Sequence, residues 1–177
     1  ASRLAINESK SWIRVQDLSF VSSEADNYAL EEALRLKEKH SGEVVVLSVG
    51  GEESSKVLRT GLALGADRAI HVKEELSRPA DELLTATELA AAIQKDGGAD
   101  MVLTGVQSDD GGSGATGVML AELLGWPHAS VVIGIDANPD ASEVVVQREL
   151  EAGVQERLSL KLPAVLTIQY GINQPRY

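Results

Sequence analysis

Residues Ala99–Gly117 read ADMVLTGVQSDDGGSGATG, and a second apolar run, VMLAELLG, follows directly. ADMVLT is a short apolar stretch bounded by turn signals, the pattern of a strand buried on both faces of a parallel sheet. The glycine-rich loop after it contains no Lys or Arg and opens onto a helix predicted over Thr116–Leu124, which GWP closes. Strand, glycine-rich loop and helix in this order present free backbone N–H groups to an anion without needing a cationic side chain. The amides of Gly114, Ala115 and Thr116 and the Thr116 hydroxyl are the predicted donors, with Gly112 and Gly114 permitting close approach. Phosphoryl-transfer loops add a Lys and a magnesium ligand. Here Asp109 and Asp110 lie nearby instead, a pair suited to ribose hydroxyls or helix caps. The loop reads as one that holds a nucleotide and does not cleave it; a capped surface turn is the plainer alternative.

Working outward, strands and helices alternate. NYALEEALRLKEKH places apolar residues at helical spacing after a cap at Ser23 or Asp26, and Gly42 stops it. EVVVLSV (43–49) is a second buried strand, KVLRTGLALGA a helix, RAIHV (68–72) a short strand, and ELLTATELAAAIQKDG a helix opened by Asp81 and ended by Gly97 and Gly98. After GWP the pattern changes to strands over 128–135, 143–151, 154–160 and 163–169, with turns at ANPDAS and EAG. This order predicts an α/β fold: a largely parallel, Rossmann-like sheet with helices on both faces, plus an antiparallel extension, in a single domain spanning 1–177. The front departs from that plan. Residues 3–18 read as a hairpin-like arm, with Leu4, Ile6, Trp12, Ile13 and Val15 as its apolar points, and the inner strand expected ahead of the first helix is missing. The expectation is that residues are absent before Ala1.

Composition narrows the function. The net charge of −11, from 16 basic and 27 acidic residues, argues against nucleic-acid binding, and 3% aromatic residues make a poor base-stacking surface. No apolar run reaches the about 18–20 residues of a membrane span, so no membrane insertion is expected. Cysteine is absent and the three His are scattered, so no thiolate chemistry and no metal site is expected. SVGGEESS is only loosely similar to the SGG-type loop of ATP-pyrophosphatases and reads better as a strand-to-helix turn, with Ser54 or Glu52 near the cap.

ALEEALRLKE (29–38), LRTGLALGADRAIHV (58–72), GVQSDDGGSGATG followed by LLGWPHASVV, and VQRELEAGVQERLSLKLPAVLTIQYGINQPRY (146–177) occur in the same order as in one family. Through them the chain resembles the β subunit of electron-transfer flavoproteins, in a methylotroph-like subtype. The resemblance implies a heterodimer with an α subunit that holds most of one FAD. It implies electron transfer from dehydrogenases to a quinone reductase or another acceptor, and AMP bound structurally in this subunit, with a second FAD in place of AMP in one branch. It implies an electron carrier without catalytic residues, in the cytoplasm or, in a eukaryote, the mitochondrial matrix. Its nucleotide positions map to Ser23 and Asp26, to Val49 at a strand end, and to Gly105, Gln107, Asp110, Gly112, Gly114, Ala115 and Thr116. Val106 stands where many members have a basic residue, and Gly114–Ala115 where many have Asn-Gln, so backbone amides must do more. The family's dehydrogenase-docking loop lies just beyond NQPRY, so a second missing end is expected there. A universal-stress-type nucleotide-binding module is the alternative; it has no reason to carry the 146–177 block.

The remaining conspicuous side chains have ordinary readings. Arg148 is expected to pair with Glu149 or Glu151, His128 to be packed or hydrogen-bonded, Trp126 to lie in the core or a subunit interface, and Lys37 and Lys39 to face water. Tyr170, Arg176 and Tyr177 are candidates for the α-subunit interface.

Overall fold

The structure is a computed structural model that describes residues 5–10, 13–14, 18–74, 81–138, 140 and 142–176. Leu4, Trp12, Val15 and Tyr177, and part of the ANPDAS turn, therefore lie outside the described residues. The elements run α1 (Glu24–His40), β1 (Val45–Gly50), α2 (Ser54–Leu64), β2 (Arg68–Lys73), α3 (Glu82–Lys95), β3 (Met101–Gly105), α4 (Thr116–Leu124), β4 (His128–Ala137), β5 (Glu143–Glu149), β6 (Gln155–Lys161) and β7 (Ala164–Ile168). The expected α/β architecture is present, and its sheet comes in two pieces. Among the described residues β1 pairs only with β2, in parallel, while a five-stranded sheet follows the order β3-β7-β4-β5-β6. β3, β7 and β4 are parallel; β4, β5 and β6 form the antiparallel extension.

Helices cover both faces. Alternation along β1 sends Val46 towards Leu30, Ala33 and Leu34 of α1, and Leu47 towards Ala86, Ala90, Ile93 and Leu120 on α3 and α4. On β3, Met101 and Leu103 face Tyr28 and Ala29 of α1, while Val102 joins the α3–α4 cluster. β7 is buried along its whole length, as befits the inner strand of this stack. β4 serves two partners in two directions by means of a bulge at 130–131, where Val131 takes φ 61° and its N–H donates to Thr167 Oγ1 (3.2 Å).

Helix caps follow the sequence in part. Asp81 accepts from Leu84 N (2.9 Å) at the start of α3. Ser23 is the first flanking residue of α1 but makes no cap bond to its own helix, and Asp26 lies inside the first turn. At the front, Ile6 and Ile13 form one antiparallel bridge and Arg14 N donates to Ala5 O (2.7 Å), which is the expected arm in its described portion.

Four side chains depart from expectation. Lys37 does not simply face water: it donates to Asp67 (2.6 Å) and to Gly65 O (3.2 Å), tying the end of α1 to the approach to β2. Arg148 sits against Glu156 (3.7 Å), directly across the β5–β6 ladder, and not against a sequence neighbour. His128 is exposed at the first residue of β4, whereas Trp126 packs on the α3–α4 cluster as expected. Arg176 is engaged within the chain: its guanidinium donates to Glu31 (2.7 and 3.1 Å) and Glu38 (2.8 Å), and its N–H also reaches Glu31 (3.2 Å).

Glu31 is only 5% exposed, so its charge depends on this clamp. The Arg176 guanidinium, against the opposing effect of desolvation and with help from Arg35, holds its carboxyl down to about 2. A lowered carboxylate contributes stability that is complete above its unfolded value and is lost as pH falls towards its folded one. Arg176→Ala is expected to cost about 1.5–3 kcal/mol by leaving a buried carboxylate without its main partner. In urea titrations the wild type should lose this contribution progressively between pH 4.5 and 2, and Glu31→Gln should remove that part of the pH dependence.

Candidate functional site

The carboxyl ends of parallel strands are the rim where open α/β sheets bind ligands, because helix N-termini converge there. In this chain the start of α1 and the loop after β3 meet at that rim through three bonds. Ser23 Oγ donates to Gln107 O (3.2 Å), Glu24 N to Asp109 Oδ2 (2.8 Å), and Gly105 N to Asp26 Oδ1 (2.6 Å). Tyr170, just past β7, donates its hydroxyl to Asp109 Oδ1 (3.2 Å) and meets Tyr28 edge-on, with ring centroids 6.0 Å apart. The tail, α1 and the loop thus share one small area.

Of the sequence-predicted positions, Ser23, Asp26, Gly105 and Gln107 are brought together directly. Gly112, Gly114, Ala115 and Thr116 form the approach to α4, with Gly112 at φ 62° and Gly114 at φ 64°. Asp110 is occupied locally, accepting from Gly111 N (2.6 Å), while Ser108 Oγ accepts from Gly111 N and Gly112 N (3.1 and 3.3 Å). Val49 stands near the end of β1, in the other sheet piece, outside this bonded set. Asp109 and Tyr170, in turn, join the site without having been assigned to it. Asp109 was read with Asp110 as suited to ribose hydroxyls or helix caps, and it does accept from an amide at the start of α1; its partners, 85 and 61 positions away, were not visible.

The electrostatics divide the rim. The first turn of α1 carries Glu24 and Asp26, and Asp109 adds a third carboxylate. Desolvation, with the charge of Asp109 adding, pushes the Asp26 carboxyl above the usual range, against the lowering effect of the Gly105 N–H. Desolvation first, then Asp109, likewise raises the Tyr170 hydroxyl, keeping it a donor. α4 is the opposite case: it has no acidic residue in its first turn and no side-chain cap, so its free amides remain open to an anion. Gly117 lets α4 sit low on the sheet, since a Cβ there would come within 2.6 Å of Thr167 Cγ2 and 2.7 Å of Thr104 Oγ1. An anion suits the α4 side and hydroxyl donors suit the carboxylates of the α1 side. No cluster of metal-ligating side chains occurs among the described residues, and no helix there is long and apolar enough to cross a membrane.

A parallel α/β rim with a glycine-rich loop opening a helix defines the class, an open-sheet fold suited to nucleotides. The chain belongs to the electron transfer flavoprotein domain family, whose pattern matches residues 14–177. It is 43% identical to the electron transfer flavoprotein subunit beta of Methylophilus methylotrophus over 88% of this chain and 59% of that protein. It is 37% identical to the subunit of the same name from Bacillus subtilis (strain 168), over 93% of this chain and 63% of that protein. The mitochondrial subunit beta of Arabidopsis thaliana is 35% identical over all of this chain and 69% of that protein. The chain thus spans about three fifths of the length of the first two relatives. Family membership takes the place of the universal-stress-type alternative.

Asp26→Asn keeps an oxygen acceptor for Gly105 N and removes a charge held unfavourably beside Asp109. A raised carboxylate costs stability in full above its folded value, and the cost fades to nothing only as pH falls to its unfolded value. The variant is therefore expected to melt higher than wild type at neutral pH, with the gain vanishing on acidification as Asp26 takes up its proton. Melting temperatures followed from pH 7 down to about 4 check this; a gain that persists unchanged at acid pH contradicts it.

Proposed function

We propose that this chain is the nucleotide-holding part of an electron transfer flavoprotein β subunit, a carrier component with no catalytic acid, base or nucleophile of its own. The observation that supports this most is the family match over residues 14–177, coinciding with a rim whose α4 amides are free of acidic competition. In this reading the amides of Gly114, Ala115 and Thr116 and the Thr116 hydroxyl would hold the phosphate of AMP. The carboxylates near α1, Asp26 foremost, would accept from its ribose hydroxyls. Val49 would line the far side from β1. The loop's lack of Lys and Arg suits a phosphate that is retained and not transferred. Bound in this way, the nucleotide adds to the stability of the native state by mass action.

The partner is an α subunit, after the family name its relatives share, and the flavin it brings as FAD supplies the redox chemistry. This chain's contribution is to bind, to present a docking surface and to keep the rim closed to water. Dehydrogenases would give electrons to the heterodimer, and a quinone reductase or another acceptor would take them. The cytoplasm is the proposed place of action, or the mitochondrial matrix in a eukaryote, in line with the mitochondrial relative.

Denaturing the purified heterodimer is expected to release AMP together with one FAD per heterodimer. Two FAD and no AMP would assign the pocket to flavin instead. Thr116→Val should weaken AMP retention by an amount equivalent to about 1.5–3 kcal/mol, the worth of a hydrogen bond to a charged group. It should lower the melting temperature of the complex more than its electron-transfer rate in the cold. Full nucleotide retention and an unchanged melting temperature in this variant would remove α4 from the site.

A further inference from the structure

One carboxylate joins three separate parts of the chain. Asp109 Oδ2 accepts from Glu24 N at the start of α1 (2.8 Å), and Oδ1 accepts from the Tyr170 hydroxyl just past β7 (3.2 Å). Asp109 is also the last anchored residue of the loop ahead of α4. Before it, Val106 N donates to Ile168 O (2.9 Å) and Gln107 O accepts from Ser23. After it, from Asp110 to Gly114, the hydrogen bonds among the described residues stay inside the loop, with Ser108 and Asp110 accepting from Gly111 N and Gly112 N. That stretch contains three glycines and has the most freedom to lose on being ordered. It leads straight into the Gly114–Thr116 amides.

Tyr170 is itself placed from the other side. Its ring meets Tyr28 of α1 edge-on at 6.0 Å. Three residues on, Asn173 donates to Tyr28 O and Glu32 (3.0 Å each), and three further on Arg176 holds Glu31 and Glu38. The tail thus lies along α1. Among the described residues the Tyr170 hydroxyl makes the one bond by which this tail reaches the loop. Asp109 needs that donor, because the carboxylate of Asp26 stands close enough to repel it. Without the hydroxyl, Asp109 keeps a single donor beside a like charge, and the glycines after it are less firmly anchored.

We infer, resting on the nucleotide function proposed above, that Tyr170 is a positioning residue for the loop, acting through Asp109, and that nucleotide at α4 and the seating of the tail reinforce each other. A loop already fixed at Asp109 loses less freedom when a phosphate orders its glycines. Coupling of this kind is reciprocal. The factor by which the hydroxyl raises nucleotide affinity is the factor by which bound nucleotide strengthens the bond between loop and tail. Occupancy of the rim is therefore felt at Tyr170, on the far side of the loop from the phosphate donors.

The coupling is measured by titrating AMP calorimetrically into the full chain, stripped of nucleotide and held well below its melting temperature. Wild type, Tyr170→Phe, Asp109→Ala and the double variant are compared. Tyr170→Phe keeps the ring against Tyr28 and is expected to weaken AMP binding about fivefold. Asp109→Ala should weaken it further, since it also frees Glu24 N. In the double variant the loss should equal that of Asp109→Ala alone. Should Asp109→Ala fail to fold, Asp109→Asn takes its place in the cycle. In protein labelled with 3-fluorotyrosine, the fluorine signal of Tyr170, assigned by its absence from Tyr170→Phe, should shift on adding AMP and stay in place in the Asp109 variant. A lower melting temperature with unchanged AMP affinity in Tyr170→Phe would reduce the hydroxyl to a structural contact and overturn the coupling alone. Losses that simply add in the double variant, or a Tyr170 signal indifferent to AMP, would do the same. Wild type that takes up no AMP would overturn the nucleotide reading, and the coupling with it.

Discussion

The arrangement depends on how closely α1 begins against the end of β3. A Cβ on Gly105 would lie 2.8 Å from both Ala25 Cβ and Asp26 N, so only glycine permits the contact. Given that approach, the Gly105 N–H meets the Asp26 carboxylate at 2.6 Å. The same approach lets Ser23 reach Gln107 and places the first free amides of α1 over the loop, where Asp109 takes one of them. A bulkier residue at position 105 would lift α1 from the sheet and undo all three bonds, because they share one hinge. The unusual position of Asp26, inside a first turn instead of at its cap, follows from this: its carboxylate serves a neighbouring strand and not its own helix.

That junction also explains the polarity of the rim. α1 starts among three carboxylates and α4 among none. Helix N-termini attract anions, but an N-terminus whose amides are already met by side-chain carboxylates offers little to another one. The chain thus uses one of its converging helix ends for internal bonding and leaves the other open. Tyr170 completes the internal set from the chain just past β7, and the Arg176 clamp on Glu31 and Glu38 fastens the tail that carries it along α1.

How much of this was legible depended on whether the signal was local. Apolar runs rich in β-branched residues such as EVVVLSV and PAVLTIQ mark strands when they stand between turn residues, and α4 begins at Thr116 as the pattern predicts. Asp81 is readable as a cap because its partner is three residues on. Asp109, Arg176 and Lys37 were not readable in this way. Their partners stand 85, 145 and 30 positions away, and a charged residue in a loop or on a helix looks the same in sequence whether it faces water or a distant carboxylate. Arg148 shows the same limit within the sheet: its partner is set by the β5–β6 register, which adjacent acids in the sequence do not reveal.

Among the described residues the sheet comes in two pieces, and the fold shows what joins them. Here both halves keep their own pairings while α1 on one face, and α3 with α4 on the other, still span the interval between them. Among the described residues helix packing therefore joins the two pieces where backbone pairing does not. The candidate site lies at the upper end of that interval. The start of α1 is bonded to the end of β3 there, whereas among the described residues β1 is joined to that area through the helices in between. Support is consequently unequal within the rim: the α4 side rests on a continuous five-stranded sheet, whereas among the described residues the β1 side is joined to it through helix packing.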